Sequence, residues 1–441
     1  MLIRYKKDAN GASAPLAEIY SPSEHKINLK AIDPDAIWAI RKLKQSGAEA
    51  YIVGGAVRDL MLGLRPKDFD IATSASPRQI QKLFWNARII GKRFKLVHLM
   101  FHDKILEIST FRSGEDPVDD DTSSIFGTIE QDAKRRDFSI NSLYLDPTDG
   151  SLFDFNHAFD DFRHRRIRSV IPLSFSFIED PVRMLRAVKY SVTTGFHLQH
   201  DVKKAIRKHA NELARIPASR ITEEVSKILN SGNSAGIIKE LQRFRLLVYM
   251  LPCISVSSHF PEILISLEKL DGQVRNSHVE PDSDGVPKGE LFRALTAPLV
   301  IVEHDSELTL EDMFKDIFRQ MKVLISPITP ANYDVEFATE CFMKGLGLNP
   351  PKSVVRSRRP NLASPWGMGG QGARTRRQNS SSRMKKSGAA TAVSTPPAEL
   401  NADLAVKKKS RVRKKRKTPA VSSAPIVQEI PETTLEPPTQ V

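Results

Sequence analysis

The chain has few cysteines and no long apolar run, and each absence excludes a class of protein. Cys253 and Cys341 are the two cysteines among 441 residues, and they lie far apart without the spacing of metal ligands. That pattern excludes a disulfide scaffold and a cysteine-based zinc site, and it suits a reducing cytosol. No apolar stretch approaches the ~20 residues that a membrane-spanning helix needs, and the first residues do not resemble a secretory signal. We therefore expect a cytoplasmic protein with no membrane contact and no disulfide-linked partner.

The net positive charge of the chain is confined to its last segment, and the rest has none. Residues 351–441 contain 19 Lys+Arg and 5 Asp+Glu, a net charge of +14 that equals the net charge of all 441 residues. Residues 1–350 are therefore neutral overall. The last segment is rich in Ser, Pro, Gly, Lys and Arg, and it has too few apolar residues to offset its ordering entropy, so we predict a disordered tail. A basic tail favours a phosphate-rich polymer as partner; the alternative is a tail that only aids solubility.

The length is sufficient for two or three domains. Strand-like and helix-like patterns alternate up to about residue 170, whereas the pattern from Asp180 to Phe244 is helical, which predicts an α/β head followed by all-α domains. The predicted segments are a loose N-terminal extension (1–28), the α/β head (29–170), a helical neck (171–250), a helical body (251–350) and the disordered basic tail (351–441).

The stretch from Tyr51 to Asp70 carries the strongest chemical pattern. An apolar strand runs into Gly54-Gly55 and a short helix that contains Arg58, and a second strand then presents Asp68 and Asp70. The glycines allow close approach of a phosphate, and Arg58 lies where helix N–H groups also favour anions. Side chains at i and i+2 of a strand point the same way, and two such carboxylates repel unless a cation lies between them. Mg²⁺ prefers carboxylates together with substrate phosphates. For each motif alone, an ordinary turn is the alternative.

Two further carboxylates and two arginines follow. Glu107 is a lone charge in an apolar strand, which indicates either a third carboxylate beside the Asp pair or a solvated strand face. Arg135-Arg136-Asp137 places two guanidinium groups beside a carboxylate. The functional interpretation is triphosphate or ribose contact by Arg135 and Arg136, with Asp137 orienting them or lining the site. The alternative is an ion pair at a helix end.

Asp180 and Arg183 lie three residues apart at the start of a predicted helix. Together they offer one hydrogen-bond acceptor and one fork of donors, which could read the edge of adenine or cytosine without a template. The alternative is that Asp180 caps the helix, with Pro181 at its first position, and forms an ordinary ion pair with Arg183.

Together these motifs resemble the class II nucleotidyltransferases, the family of bacterial poly(A) polymerase I and of the CCA-adding enzymes. The resemblance covers about residues 29–252. It implies a palm-like head in which Asp68 and Asp70 bind two Mg²⁺ ions with Glu107 as a further carboxylate, and in which Asp137 belongs to the active site. It also implies helical neck and body domains, with Asp180 and Arg183 reading the incoming base. The nucleotide-binding residues that it predicts are Gly54, Gly55, Arg58, Arg135, Arg136, Asp180, Arg183 and Arg186.

Within the family, residues 89–98 are similar to the segment of poly(A) polymerases, whereas CCA-adding enzymes more often have Gly followed by His-Gly-Thr there. The loop Ser113–Ser124 is shorter than in poly(A) polymerases, and residues 255–350 match no family pattern. The resemblance implies template-independent transfer of AMP from ATP to the 3′ ends of mRNA or other transcripts, with release of pyrophosphate. The RNA-decay machinery is a candidate protein partner. The alternatives are a CCA-adding tRNA nucleotidyltransferase and a non-catalytic RNA-binding protein on the same scaffold.

Overall fold

A mixed β-sheet and a region of packed helices form the described part of the chain. The computed structural model describes residues 1–7, 13–91, 95–102, 104–113, 126–279, 285–302 and 308–350. The predicted order, an α/β head followed by helices, is confirmed. The predicted tail and most of the predicted loop Ser113–Ser124 lie outside the described residues, as do residues 92–94 of the segment 89–98.

Among the described residues, nine strands form the sheet of the head. They are β1 (Leu2–Lys7), β2 (Ser13–Tyr20), β3 (Ala50–Val53), β4 (Asp70–Thr73), β5 (Ala87–Ile90), β6 (Leu96–Met100), β7 (Ile105–Thr110), β8 (Leu143–Leu145) and β9 (Leu152–Asp154). Their order across the sheet is β1-β2-β9-β8-β3-β4-β7-β6-β5. β4 and β7 run parallel at its centre, whereas β3 runs antiparallel to β4.

The first 28 residues do not form the loose extension that the sequence predicts. β1 and β2 are an antiparallel pair, and β2 continues the sheet by pairing with β9 in the register Ile19↔Phe153. Ala17 and Tyr20 of β2 are buried. β9, the strand that pairs with β2, lies more than a hundred residues later, so no local pattern in the sequence predicts the pairing.

The helices of the head have recognisable start signals. In α4, Ser76 Oγ accepts a hydrogen bond from the Gln79 N–H at 3.4 Å and Pro77 is the first residue, which is the arrangement of a capping box. Ile40 and Leu43 of α2 are buried against one face of the sheet. The helices are α1 (Pro22–His25), α2 (Pro34–Gln45), α3 (Gly55–Met61), α4 (Pro77–Leu83), α5 (Ile129–Lys134) and α6 (Ala158–Arg163).

The helical region shares one continuous apolar core. It also contains a short parallel pair, β10 (Arg166–Ile167) with β11 (His197–Leu198). Its helices are α7 (Leu173–Glu179), α8 (Val182–Thr194), α9 (His200–His209), α10 (Ala218–Leu229), α11 (Ser234–Arg243), α12 (Leu247–Met250), α13 (Pro252–Ser255), α14 (Phe260–Val279), α15 (Lys288–Thr296), α16 (Leu310–Leu324) and α17 (Asn332–Gly345). Throughout the described ranges, none of these helices is long and apolar enough to cross a membrane.

One helix in this region continues through a polar stretch. The polar residues from Asp271 onward would by themselves indicate a break between helices, yet α14 continues to Val279. Asp271 is buried, and its carboxylate accepts hydrogen bonds from the Ser234 N–H at 2.7 Å and the Ala235 N–H at 3.0 Å. A charged residue in mid-helix therefore satisfies the first free N–H groups of α11.

Different groups of residues cover the two faces of the sheet, and the acidic residues lie on the face that α2 and α4 do not cover. α2 and α4 cover one face. The opposite face carries a smaller cluster that includes Tyr51, Ala72 and Tyr144. Because side chains alternate along a strand, Asp70 lies on the same face as Ala72. Parallel register with β7 brings Glu107 to that face beside Asp70.

Candidate active site

Asp68 and Asp70 present two exposed carboxylates on either side of the buried Phe69. β4 begins at Asp70, so Asp68 lies two residues before the strand and not within it as predicted. The pKa of Asp70 is raised to about 6, because the surrounding protein limits hydration of its carboxylate and because Glu107 and Asp68 repel its negative charge. The site thus concentrates negative charge that the nearby Arg136 offsets only in part.

Gly54 separates this carboxylate from a guanidinium group. Its φ of +70° and ψ of −130° belong to a region that side chains disfavour. A Cβ atom at this position would lie 3.7 Å from both Asp70 Oδ2 and Arg136 Nη1. Gly55 starts α3, and a Cβ there would lie 3.6 Å from Arg58 Nη2. The backbone of the glycine pair therefore lies next to a carboxylate and two arginines, with no side chain between them.

Arg136 is held by a buried pair of side chains that the sequence reasoning missed. Its Nη2 donates to Asp132 Oδ2 at 2.9 Å and its Nε donates to the Tyr144 hydroxyl at 3.1 Å. The Tyr144 hydroxyl in turn donates to Asp132 Oδ2 at 2.6 Å. Arg135 binds the same aspartate through Nε at 2.9 Å. Although burial opposes ionisation, Arg136 and Arg135 hold the pKa of Asp132 at about 2. The signal available in the sequence was an acid three and four residues before the two arginines.

A chain of polar contacts joins the head to α8. Arg58 Nη2 donates to Asp59 at 2.7 Å, and its Nη1 donates to Asn141 Oδ1 at 3.1 Å. Asn141 Nδ2 donates to Asp137 Oδ1 at 3.3 Å. Asp137 Oδ2 lies 3.5 Å from Arg186 Nη1. Three predicted residues, Arg58, Asp137 and Arg186, are thus connected through Asn141, which has no sequence motif of its own.

The side chains of Asp180 and Arg183 do not bind each other; the contact between the two residues is the Arg183 N–H donating to the Asp180 carbonyl oxygen at 3.0 Å. Asp180 Oδ2 accepts a hydrogen bond from Arg220 Nη2 at 2.8 Å, and its Oδ1 accepts one from the Val182 N–H at 3.2 Å. Arg183 binds Glu179 one turn earlier. The ion pair weighed as the alternative is therefore wrong, and so is the predicted cap position, because α8 begins at Val182 with Pro181 as its N-cap residue.

The contacts limit how a cation could be held. Within the described ranges, no group of three or more His, Cys, Asp or Glu side chains lies close enough to hold a metal ion. Glu107 is half exposed, and its Oε1 lies 3.4 Å from His98 Nε2. Asp68 and Asp70 together still fit Mg²⁺, because this ion is commonly held by one or two carboxylates plus substrate phosphates. A bound cation would offset the repulsion from Glu107 and Asp68 that contributes to the raised pKa of Asp70.

Comparison with known protein families agrees with the predicted resemblance. A family model described as the poly A polymerase head domain matches residues 50–168. A second, described as a probable RNA and SrmB-binding site of polymerase A, matches residues 195–257. All the predicted site residues of the head lie inside the first match, and Arg220 and α10 lie inside the second.

Individual relatives fall in two groups. Poly(A) polymerase I of Salmonella typhimurium is 36% identical over 299 residues, which are 63% of this chain and 64% of that protein. The CCA-adding enzyme of Geobacillus stearothermophilus is 36% identical over 219 residues, which are 49% of this chain and 54% of that protein. The chain thus spans less than two thirds of either relative. A solved CCA-adding enzyme in complex with CTP has a TM-score of 0.50 and 21% identity, covering 74% of this chain and 85% of that chain. This likeness shows that the fold is shared.

Proposed function

We propose that this chain, whose residues 50–168 match the poly A polymerase head domain, adds nucleotides to RNA 3′ ends without a template. The observation that carries the proposal is that Asp70 and Arg136 both lie next to Gly54, each with an atom 3.7 Å from the position that a Cβ there would take. A backbone that a phosphate can approach, a carboxylate for a cation and a fixed guanidinium are the parts that phosphoryl transfer requires.

In this proposal Asp68 and Asp70 hold Mg²⁺ together with the nucleotide phosphates, and Glu107 contributes a further carboxylate. The bound ions would supply activation of the attacking hydroxyl and charge neutralisation of the leaving pyrophosphate. Arg136 and Arg58 bind the triphosphate, each held in place by the partners described above. Arg135, Arg186 and Asp137 complete this side of the site, and no side chain acts as a covalent nucleophile.

We further propose that the nucleotide is ATP and that the product is a poly(A) tract on mRNA or other transcripts. The poly(A) polymerase relative matches a larger share of this chain than the CCA-adding relative does. The basic residues 351–441 suit an RNA substrate without a fixed shape. Asp180 and Arg183 then read the base, the protein acts in the cytoplasm, and the RNA-decay machinery is a candidate partner.

A CCA-adding enzyme is the second candidate, because relatives of that activity match about half of the chain at similar identity. One assay separates the two. The full chain is incubated with Mg²⁺, with ATP or CTP, and with oligo(A) or a tRNA that ends before CCA. Long extension of oligo(A) with ATP alone supports poly(A) addition, whereas two CTP additions followed by one ATP addition on the tRNA contradict it.

Asp70→Asn provides the control for contaminating enzymes, since it keeps the shape of the side chain and removes its charge. If neither RNA is extended by the wild-type chain, the non-catalytic RNA-binding alternative is favoured. Retention of RNA binding by both forms in the absence of any extension would establish it.

A further inference from the structure

A row of four polar side chains crosses the face of the sheet that carries Asp70. In register, Asp70 of β4 pairs with Glu107 of β7, Glu107 pairs with His98 of β6, and His98 pairs with Arg88 of β5. Residues that pair directly across strands point to the same face. The row therefore begins at the acidic site and ends at a cation on the edge strand.

The row has the dimensions and exposure of a contact surface. Neighbouring strands lie ~4.8 Å apart, so three steps place the backbone of Arg88 about 14 Å from that of Asp70. Arg88 is exposed and Glu107 is 50% exposed. His98 Nε2 faces Glu107, while its Nδ1 is buried and has no hydrogen-bond partner among the described atoms.

The in-line geometry of phosphoryl transfer indicates which substrate lies on the β7, β6 and β5 side of Asp70. Gly54 follows β3, and the triphosphate contacts proposed above, Gly54, Arg58 and Arg136, lie on the β3 side of Asp70. β7, β6 and β5 lie on the other side. Phosphoryl transfer places the attacking and leaving oxygens roughly in line on opposite sides of the phosphorus. With the pyrophosphate leaving toward β3, the attacking 3′-hydroxyl must approach from β7.

We propose that the 3′-terminal nucleotides of the RNA lie across β7, β6 and β5, and that Arg88 binds a backbone phosphate upstream of the reacting 3′-hydroxyl. This inference rests on the proposed function. A guanidinium matches the geometry of a phosphate and can bind it through two hydrogen bonds. Such a contact positions the strand and carries no sequence information, which suits a tail of growing length.

The test compares Arg88→Ala and Arg88→Glu with Arg78→Ala in the full chain. Arg78 is the matched control because it is also an exposed arginine, and it lies on α4, which packs on the opposite face. The KM for oligo(A) and the KM for ATP are measured over a range of salt concentrations. We expect Arg88→Ala to raise the KM for oligo(A) about fivefold and to lower the slope of log KM against log salt by about one.

Arg88→Glu is expected to have a larger effect on the KM for oligo(A), and Arg88→Lys a smaller one, while the KM for ATP stays unchanged in all three. Wild-type KM for oligo(A) in Arg88→Glu, or an equal rise in Arg78→Ala, would overturn the RNA assignment while leaving the proposed function intact. If the wild-type chain extends no RNA, the proposed function fails, and the assignment fails with it.

Discussion

The carboxylate of Asp180 is bound by the guanidinium of Arg220, with 2.8 Å between Oδ2 and Nη2. Asp180 precedes α8, whereas Arg220 belongs to α10. A residue predicted to read the nucleotide base is therefore oriented by a different helix. Arg183, its predicted partner, is held separately by Glu179.

Replacing Arg220 should consequently affect nucleotide binding without affecting the fold. The ion pair is solvent-accessible, and such pairs contribute less than ~1 kcal/mol, so we expect Arg220→Ala to raise the KM for ATP by no more than about fivefold. Steady-state kinetics with ATP and with CTP measure the change and any loss of discrimination. Arg215→Ala is the control, because Arg215 is paired on the surface with Glu212. A wild-type KM for both nucleotides in Arg220→Ala would contradict a role of this contact.

Tyr144→Phe should weaken ATP binding through Arg136. The substitution removes one hydroxyl from a buried network that includes a charged group, which costs roughly 1–3 kcal/mol. If about half of that loss reduces the binding of the triphosphate, the KM for ATP rises between about twofold and about tenfold. The affinity for adenosine, which has no phosphate, should not change. Tyr51→Phe is the matched control, since its ring lies 6.2 Å from that of Tyr144 in the same cluster. Equal effects of the two variants would show that packing, not orientation of Arg136, is responsible.

Asp70 should destabilise the metal-free protein at high pH. Its folded pKa of about 6 lies above the ordinary value of 3.8, so ionisation costs stability fully above pH 6 and not at all below the unfolded pKa. Asp70→Asn is therefore expected to raise the free energy of unfolding at pH 8 by about 1 kcal/mol, a value reduced by solvent screening. The difference should shrink at pH 5. Thermal unfolding with chelator measures it, and Mg²⁺ should stabilise the wild type alone. A variant less stable than wild type at pH 8 would refute this account.

The same variant should abolish nucleotide transfer. Loss of a metal-holding carboxylate removes several kcal/mol of transition-state stabilisation, which corresponds to a decrease of about 10³-fold in kcat. Glu107→Gln tests whether the third carboxylate is a ligand. A comparable decrease assigns it to the metal, whereas a decrease below about tenfold leaves it as a neighbour of His98. Both are measured as AMP incorporated into oligo(A) per minute.

Removal of residues 351–441 should weaken RNA binding and reduce its salt dependence while sparing ATP. That segment contains all of the net positive charge of the chain, and each phosphate contact contributes to the salt slope. Fluorescence anisotropy with labelled oligo(A) at several salt concentrations measures the slope, and the KM for ATP is the internal control. An unchanged slope would show that the basic segment does not contact RNA.

Local patterns predicted the parts of the site that depend on neighbours in the chain. Gly54-Gly55 adopts a turn that only its residue type permits readily, and Asp68 and Asp70 flank a buried residue, so both motifs could be found from spacing. The start of α4 has a signal of the same kind, since Ser76 and Gln79 are close in sequence. The spacing of Asp132 before Arg135 and Arg136 carried the same kind of information and was missed.

Long-range contacts could not be predicted in this way. β2 pairs with β9, and Asp271 binds the first N–H groups of α11, which starts at Ser234. Arg220 binds Asp180 across forty positions of sequence. In each case the packing of whole elements determines the partner. From local sequence alone, β2 resembles a loose segment, the region of Asp271 a polar break, and Arg220 an ordinary surface residue.

The site residues are spread along the chain, so a ribosome synthesises them in a fixed order. Gly54, Asp70 and Glu107 lie in or beside β3, β4 and β7, which end by Thr110. Arg136, Asp180 and Arg220 are synthesised later. A translation product that stops after β7 would carry Asp68, Asp70 and Glu107 together with Arg58, but it would lack Arg136 and the groups assigned to the base. Premature termination is therefore expected to yield an inactive fragment rather than an enzyme that has lost its choice of nucleotide.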